Sequence, residues 1–179
     1  QRQMCIRDRN DAEAICEAMS RPHMRFVNIK TVEQQDIQAT HRIRAALMDQ
    51  RKAKSNQIRG LLSEYGLVAP REICHLRKAI PDWLEEMDNG LTDRLRRLLH
   101  GVWQDLLILD QRIKALDQEI ELLAANDPVA KRLQQLRGVG PMIATALLAT
   151  VGDASQFDNG RQMAASLGLT PVSYTHLRA

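Results

Sequence analysis

The chain has 179 residues, of which 44% are apolar and only six aromatic (two Trp, two Tyr, two Phe), and 25 Lys and Arg against 22 Asp and Glu leave a formal net charge of +3. That length holds one domain or two small ones, and an apolar set of mostly Leu, Ala, Ile and Met is the composition of packed helices, so the expected fold class is mainly α. A pI near 8.9 is only mildly basic, so any case for nucleic acid must rest on local clustering. No apolar run reaches the roughly 18 residues of a membrane span, and no secretory pattern is present. Cys5, Cys16 and Cys74 form no CxxC pair, and their neighbours His75 and His23 lack zinc-ligand spacing, so reduced cysteines in a cytoplasmic protein are expected.

In chain order, Asn10 to about Ser20 reads as a short helix with Asn10 as cap, Glu13 in the capping-box position and Arg21-Pro22 as its stop. Arg25 to Ile29 alternates as a short strand would. Thr31-Val32-Glu33-Gln34 is a second capping box, and with no Pro or Gly before Gly60 it opens a long helix ending near Tyr65-Gly66, where glycine can take a left-handed cap. Pro70 and Pro81 bracket a short helix around Glu72 to Ala79.

Leu95, Leu99, Val102, Leu106, Leu109, Ile113, Leu116, Ile120 and Leu123 then alternate spacings of four and three, an unbroken heptad seam. It predicts either an antiparallel hairpin with the preceding long helix or an arm that pairs with a second copy of the chain. Asp127 as cap and Pro128 at the first helical position start a helix leading to Gly138-Val139-Gly140-Pro141, where a tight turn joins it to the small-residue helix Met142 to Leu148. Gly152-Asp153 ends that helix, and Asn159-Gly160 precedes a last one from about Arg161 to Leu167.

Two clusters point to nucleic acid. Between His41 and Arg59 the long helix carries Arg42, Arg44, Arg51, Lys52, Lys54 and Arg59 against a single acid, Asp49, a stripe suited to a phosphate backbone; a solvated polar face is the alternative. At the hairpin, Arg137 precedes Gly138 and Gly140, whose helix N-terminus offers free amides to an anion; a plain packing turn is the alternative. Residues 101 to 127 hold six acids against Arg112 and Lys114 and should face solvent or protein. Asp8 and Asp11, three apart, share a helical face if the first helix starts early enough, a spacing that can hold Mg²⁺ only with further acids; an acid favoured by the helix dipole is the alternative for Asp11. No Ser/His/Asp arrangement is readable.

These features recur in order in one family. Asn10-Asp11-Ala12-Glu13-Ala14-Ile15, Arg25-Phe26-Val27, Asn56-Gln57-Ile58-Arg59-Gly60-Leu61-Leu62, Gly138-Val139-Gly140-Pro141, Phe157-Asp158-Asn159-Gly160-Arg161 and Leu167-Gly168-Leu169-Thr170-Pro171 resemble the transposases of the "one-ten" family of bacterial insertion sequences, over about residues 10 to 171. The resemblance implies an N-terminal RuvC-like domain with a DEDD set of acids, a coiled-coil middle and a C-terminal domain bearing a catalytic serine. It implies DNA recombination with Mg²⁺, a structured non-coding guide RNA and a homo-oligomer, here joined through the heptad seam. Asp11 matches the last DEDD acid and Asp8 falls at the preceding one; the other two acids and the serine have no match in this chain, so the catalytic set is partial.

The expected organisation is a RuvC-like remnant at 1–30, a coiled-coil arm at 31–125, and the start of a transposase C-terminal domain with a helix-hairpin-helix-like motif at 127–171. Segments 1–9 and 172–179 read as translated adaptor sequence, and the chain as an internal fragment, inactive by itself, of an enzyme that acts at the bacterial nucleoid. The alternative from another class is a non-catalytic coiled-coil adaptor that binds nucleic acid.

Overall fold

The computed structural model describes residues 2–22, 29–69 and 71–169, and all regular structure among them is helical. The chain divides into two compact units, one of residues 30–152 and one of residues 1–29 with 153–179.

The larger unit is built on two long helices, α2 (Val32–Ser63) and α4 (Asp93–Asn126). The N-terminus of α2 forms as its local sequence requires: Thr31 Oγ1 accepts from the Gln34 amide at 3.2 Å while the Gln34 side chain accepts from the Thr31 amide at 3.0 Å. At its other end Gly66 adopts φ 77°, a left-handed conformation that costs glycine little. The heptad seam of α4 is buried, with Leu99, Leu106, Leu109, Ile113 and Ile120 all below 9% exposed.

What covers the seam is α2 of the same chain. Leu47 packs with Leu109 and Ile113 midway along the pair, and Ile58 and Leu62 pack with Leu99, Trp103 and Leu106 at one end. Pairings of Arg44 with Asp117, Arg51 with Asp110 and Lys54 with Asp105 run in opposite directions along the two helices, so the pair is antiparallel. The expectation of a homo-oligomer through this seam is corrected on that ground: its apolar surface is already removed from water within one chain.

α3 (Ile73–Glu85) completes the core at that end through Leu76 and Ile80. It runs past Pro81, where the sequence predicts a stop. Pro81 forfeits one backbone bond, but the helix beyond it brings Trp83 and Leu84 against the core, and burial of that size outweighs one missing bond. Arg96 of α4 holds the end of α3 by donating to the carbonyls of Trp83 (3.0 Å), Leu84 (2.8 Å) and Glu86 (2.5 Å).

At the opposite end α5 (Pro128–Leu133) and α6 (Pro141–Val151) fold back on α4. The Asp127 cap forms, its carboxylate accepting from the Ala130 amide at 2.7 Å. Ala124, Ala130 and Ala144 meet in a cluster edged by Leu133, Val139 and Leu148, where three methyl side chains allow close helix approach. The boundary expected near residue 126 is therefore not one in packing, because the hairpin shares its core with the long pair.

In the second unit α1 spans Arg2–Ser20, starting nine residues earlier than the Asn10 cap implies. Asn10 lies inside it, and Glu13 pairs instead with Arg9 at 3.2 Å. After a single 3-10 turn at Ala154–Gln156, Asn159 caps the short α7 (Gly160–Ser166), accepting from the Gln162 amide at 3.0 Å. The strand expected at Arg25–Ile29 falls mostly outside the described residues, as does the tail from residue 170; Ile29 itself is not in a strand.

Candidate nucleic-acid interface

The basic stripe of α2 divides in two. Arg44, Arg51 and Lys54 turn toward α4 and pair with Asp117 (2.5 Å), Asp110 (3.5 Å) and Asp105 (2.8 Å), and Arg77 of α3 joins Asp110 from the other side at 2.5 Å. Three of the six acids expected to face solvent or protein, Asp105, Asp110 and Asp117, thus face their own chain's cations. Arg59 bends along its helix, donating to Asn56 Oδ1 at 3.1 Å and to the Arg71 carbonyl. Arg42 and Lys52 remain exposed to solvent.

Around the hairpin the cations stay outward: Lys131, Arg132 and Arg137 are exposed, as is Gly138. Gly138 takes φ 89°, which turns the chain between α5 and α6, and Val139 donates back to the Leu136 carbonyl at 3.0 Å. Gly140 is the cap of α6 in an extended conformation that any residue adopts (φ −90°, ψ −179°), and among the described residues no side chain makes a cap hydrogen bond to the helix start. Pro141 has no N–H and the Ala144 amide is the first to bond back, to the Gly140 carbonyl at 2.9 Å, so the amides of Met142 and Ile143 precede the helical ladder. A positive dipole end flanked by three exposed cations is an arrangement that attracts phosphate.

One polar bridge between α2 and α6 carried no readable signal. His41 Nε2 meets Thr145 Oγ1 at 2.9 Å; the buried threonine hydroxyl donates to the Pro141 carbonyl at 2.9 Å, which leaves the imidazole as donor. Burial, and secondarily the Arg44 guanidinium, hold the imidazole pKa below its ordinary value. With Gln38, Arg42, Ala45, Ala146, Ala149 and Thr150, His41 lines a shallow groove of about 250 Å³ between α2 and the C-terminal half of α6. Asp110 and Arg77 were equally hidden, because pairing across three helices depends on register and not on local pattern.

Asp8 and Asp11 both lie within α1, three positions apart along the helix. Asp11 is exposed. Two carboxylates do not by themselves fill the oxygen-rich shell of Mg²⁺.

Comparison with known proteins bears on this geometry directly. Residues 130–175, which take in the hairpin, α6 and α7, match the family described as "Transposase IS116/IS110/IS902 family". Over 94% of its length the chain is 44% identical to a "Transposase for insertion sequence element IS1111A" of Coxiella burnetii, and over a like share 42% identical to a "Probable family 20 transposase" of Pseudomonas aeruginosa. A third relative, the "Transposase for insertion sequence element IS1328" of Yersinia enterocolitica, is 36% identical over 92% of the chain. The chain belongs to the IS116/IS110/IS902 family of transposases. It spans about half the length of these relatives, 46%, 50% and 48% respectively. No solved structure is significantly similar to it. These names do not favour the adaptor alternative, and in this transposase family the matched segment begins one helix before the glycine hairpin.

Proposed function

We propose that this chain is the connecting body of a DNA transposase that mobilises an insertion sequence, and that it contributes nucleic-acid contact to that enzyme. The observation that carries the reading is the open N-terminus of α6 with Lys131, Arg132 and Arg137 exposed around it, inside the segment matched by the transposase family. Arg42 and Lys52 extend the same contact along α2, while Arg44, Arg51 and Lys54 keep the helices together. Gly138 and Gly140 let the phosphate approach the backbone, and the hairpin serves as a helix-hairpin-helix-like element.

In the whole enzyme Asp8 and Asp11 would supply two acids of a DEDD set, with Mg²⁺ polarising the phosphodiester once the remaining ligands are present. A structured non-coding RNA is the guide, and the enzyme works at the nucleoid in the cytoplasm. Self-association of the transposase uses surfaces other than the α4 seam, and the long antiparallel pair is its coiled-coil arm.

The experiment is a salt titration of binding to a DNA duplex by fluorescence anisotropy, comparing the parent with Arg132→Ala/Arg137→Ala. Loss of two phosphate contacts should make the slope of log K against log salt shallower by about 2. An unchanged slope would remove the hairpin from the interface, and no salt-dependent binding by the parent would sink the nucleic-acid role.

A further inference from the structure

The N-terminus of α3 gathers three metal-ligating side chains that the spacing rules for zinc sites pass over. Glu72 is the cap residue, yet its carboxylate makes no bond to the helix amides. Its Oε2 instead lies 3.4 Å from Cys74 Sγ and 3.4 Å from His75 Nδ1, and the three donor atoms all fall within 4.8 Å of one another. We propose that Glu72, Cys74 and His75 form a binding site for a borderline-soft divalent cation, Zn²⁺ by its chemistry.

Helix-start geometry explains why sequence spacing conceals the site. In an extended chain, neighbours such as Cys74 and His75 point apart, but the cap and third helical positions of an α-helix face each other, which is what a capping box exploits. Glu72 and His75 occupy those two positions, with Cys74 between them in the same turn. The distances suit the ion. Bond lengths of about 2.0–2.2 Å to oxygen, about 2.0–2.1 Å to nitrogen and about 2.3 Å to sulfur set adjacent tetrahedral donors about 3.3–3.5 Å apart. Two of the three edges already have that length, and the third closes by rotation of exposed side chains.

The donor set also decides between cations. Mg²⁺ and Ca²⁺ take oxygen shells, whereas a thiolate with an imidazole selects Zn²⁺ and its transition-metal neighbours. A thiolate, a carboxylate and a neutral imidazole carry two negative charges, which balance the ion. The thiol proton now directed at Glu72 is released on binding, and the imidazole coordinates through its unprotonated Nδ1. The fourth position stays open to water.

The test uses the full chain, reduced and metal-free, titrated with Co²⁺ as the optical probe and then with Zn²⁺ in competition. One equivalent of Co²⁺ should produce a thiolate-to-cobalt charge-transfer band with the intense visible absorption of four-coordination, and Zn²⁺ should abolish both. Cys74→Ser should remove the band and weaken binding on the order of 100-fold or more, given that even a group merely supporting a ligand is worth about 10–100-fold. Glu72→Gln and His75→Ala should each weaken binding by about tenfold or more. Because all three residues are exposed, circular dichroism of the metal-free variants should match the parent. The proposal is overturned if no band forms at one equivalent, or if the band survives Cys74→Ser, in which case Cys5 or Cys16 carries it.

Discussion

Replacing Asp110 with alanine tests whether the α2–α3–α4 junction is held by charge. Asp110 is 17% exposed and sits between Arg51, 21% exposed, and Arg77, 38% exposed. Its Oδ2 and the Nε of both arginines are buried without a hydrogen-bond partner among the described residues, so the cluster is imperfectly compensated even when intact. Removing one partner of a fully buried pair costs about 3–5 kcal/mol; with the partial exposure of both arginines, about 2–3 kcal/mol is expected for Asp110→Ala. The two tryptophans, Trp83 and Trp103, both belong to the core beside this junction, so urea unfolding followed by their fluorescence reads the unit concerned. With a slope of about 1–3 kcal/mol per molar urea, the midpoint should fall by about 1 M or more. Replacing all three residues together (Arg51→Leu, Arg77→Met, Asp110→Leu) should recover the loss, because an apolar trio carries no desolvation penalty. A shift under about 0.5 kcal/mol for Asp110→Ala would refute the reasoning, placing the pair among ordinary surface bridges.

The glycines of the hairpin should separate: Gly138→Ala strains a φ of 89° and should cost about 1–2 kcal/mol. At Gly140 an added Cβ meets no atom within 4 Å beyond its chain neighbours and φ is ordinary, so thermal melting of Gly140→Val should barely move; weaker DNA binding by this variant then reports lost approach of the phosphate, and unchanged binding removes Gly140 from the interface. Leu109→Lys puts a charge into the buried seam and should unfold the larger unit, by about 3 kcal/mol or more, without dissociating an oligomer; sedimentation of a folded, dissociated monomer would instead return the seam to an intermolecular role. The lowered pKa of His41 means that the unfolded chain takes up its proton first as the pH drops, so stability is full above about 6.5 and is lost as the pH falls through the depressed value. His41→Gln should flatten that part of the stability–pH curve, and an unchanged slope would show that the bridge to Thr145 does not contribute.

Features set by a few neighbouring residues were legible in the sequence. Thr31 with Gln34, Asp127 with Pro128, and Asn159 before Gly160 all form as their local chemistry dictates. Pro81 misleads because its effect is decided elsewhere, by Trp83, Leu84 and the reach of Arg96 from a different helix. The heptad seam reveals which face of α4 is apolar, yet periodicity is silent on what covers that face, and the cover is α2. Asn10 has the identity of a cap but lies inside a helix that begins at Arg2. The hairpin was legible as a turn, while the His41–Thr145 bridge beside it joins residues 104 apart and has no local signature.

The division of the basic stripe follows from the same seven-residue period that builds the seam. Arg44 and Arg51 are seven apart, as are their partners Asp110 and Asp117, so each pair repeats one helical position flanking the apolar row. Arg42 and Lys52 stand off that row by two residues and by one, which turns them about 200° and 100° away from it. A nucleic acid that bound through Arg44 or Arg51 would have to take them from carboxylates that help fasten α2 to α4, at a cost to the fold; Arg42 and Lys52 carry no such obligation. Binding is therefore cheapest along the off-period cations and at the hairpin, where Lys131, Arg132 and Arg137 are exposed and the amides that open α6 need an acceptor.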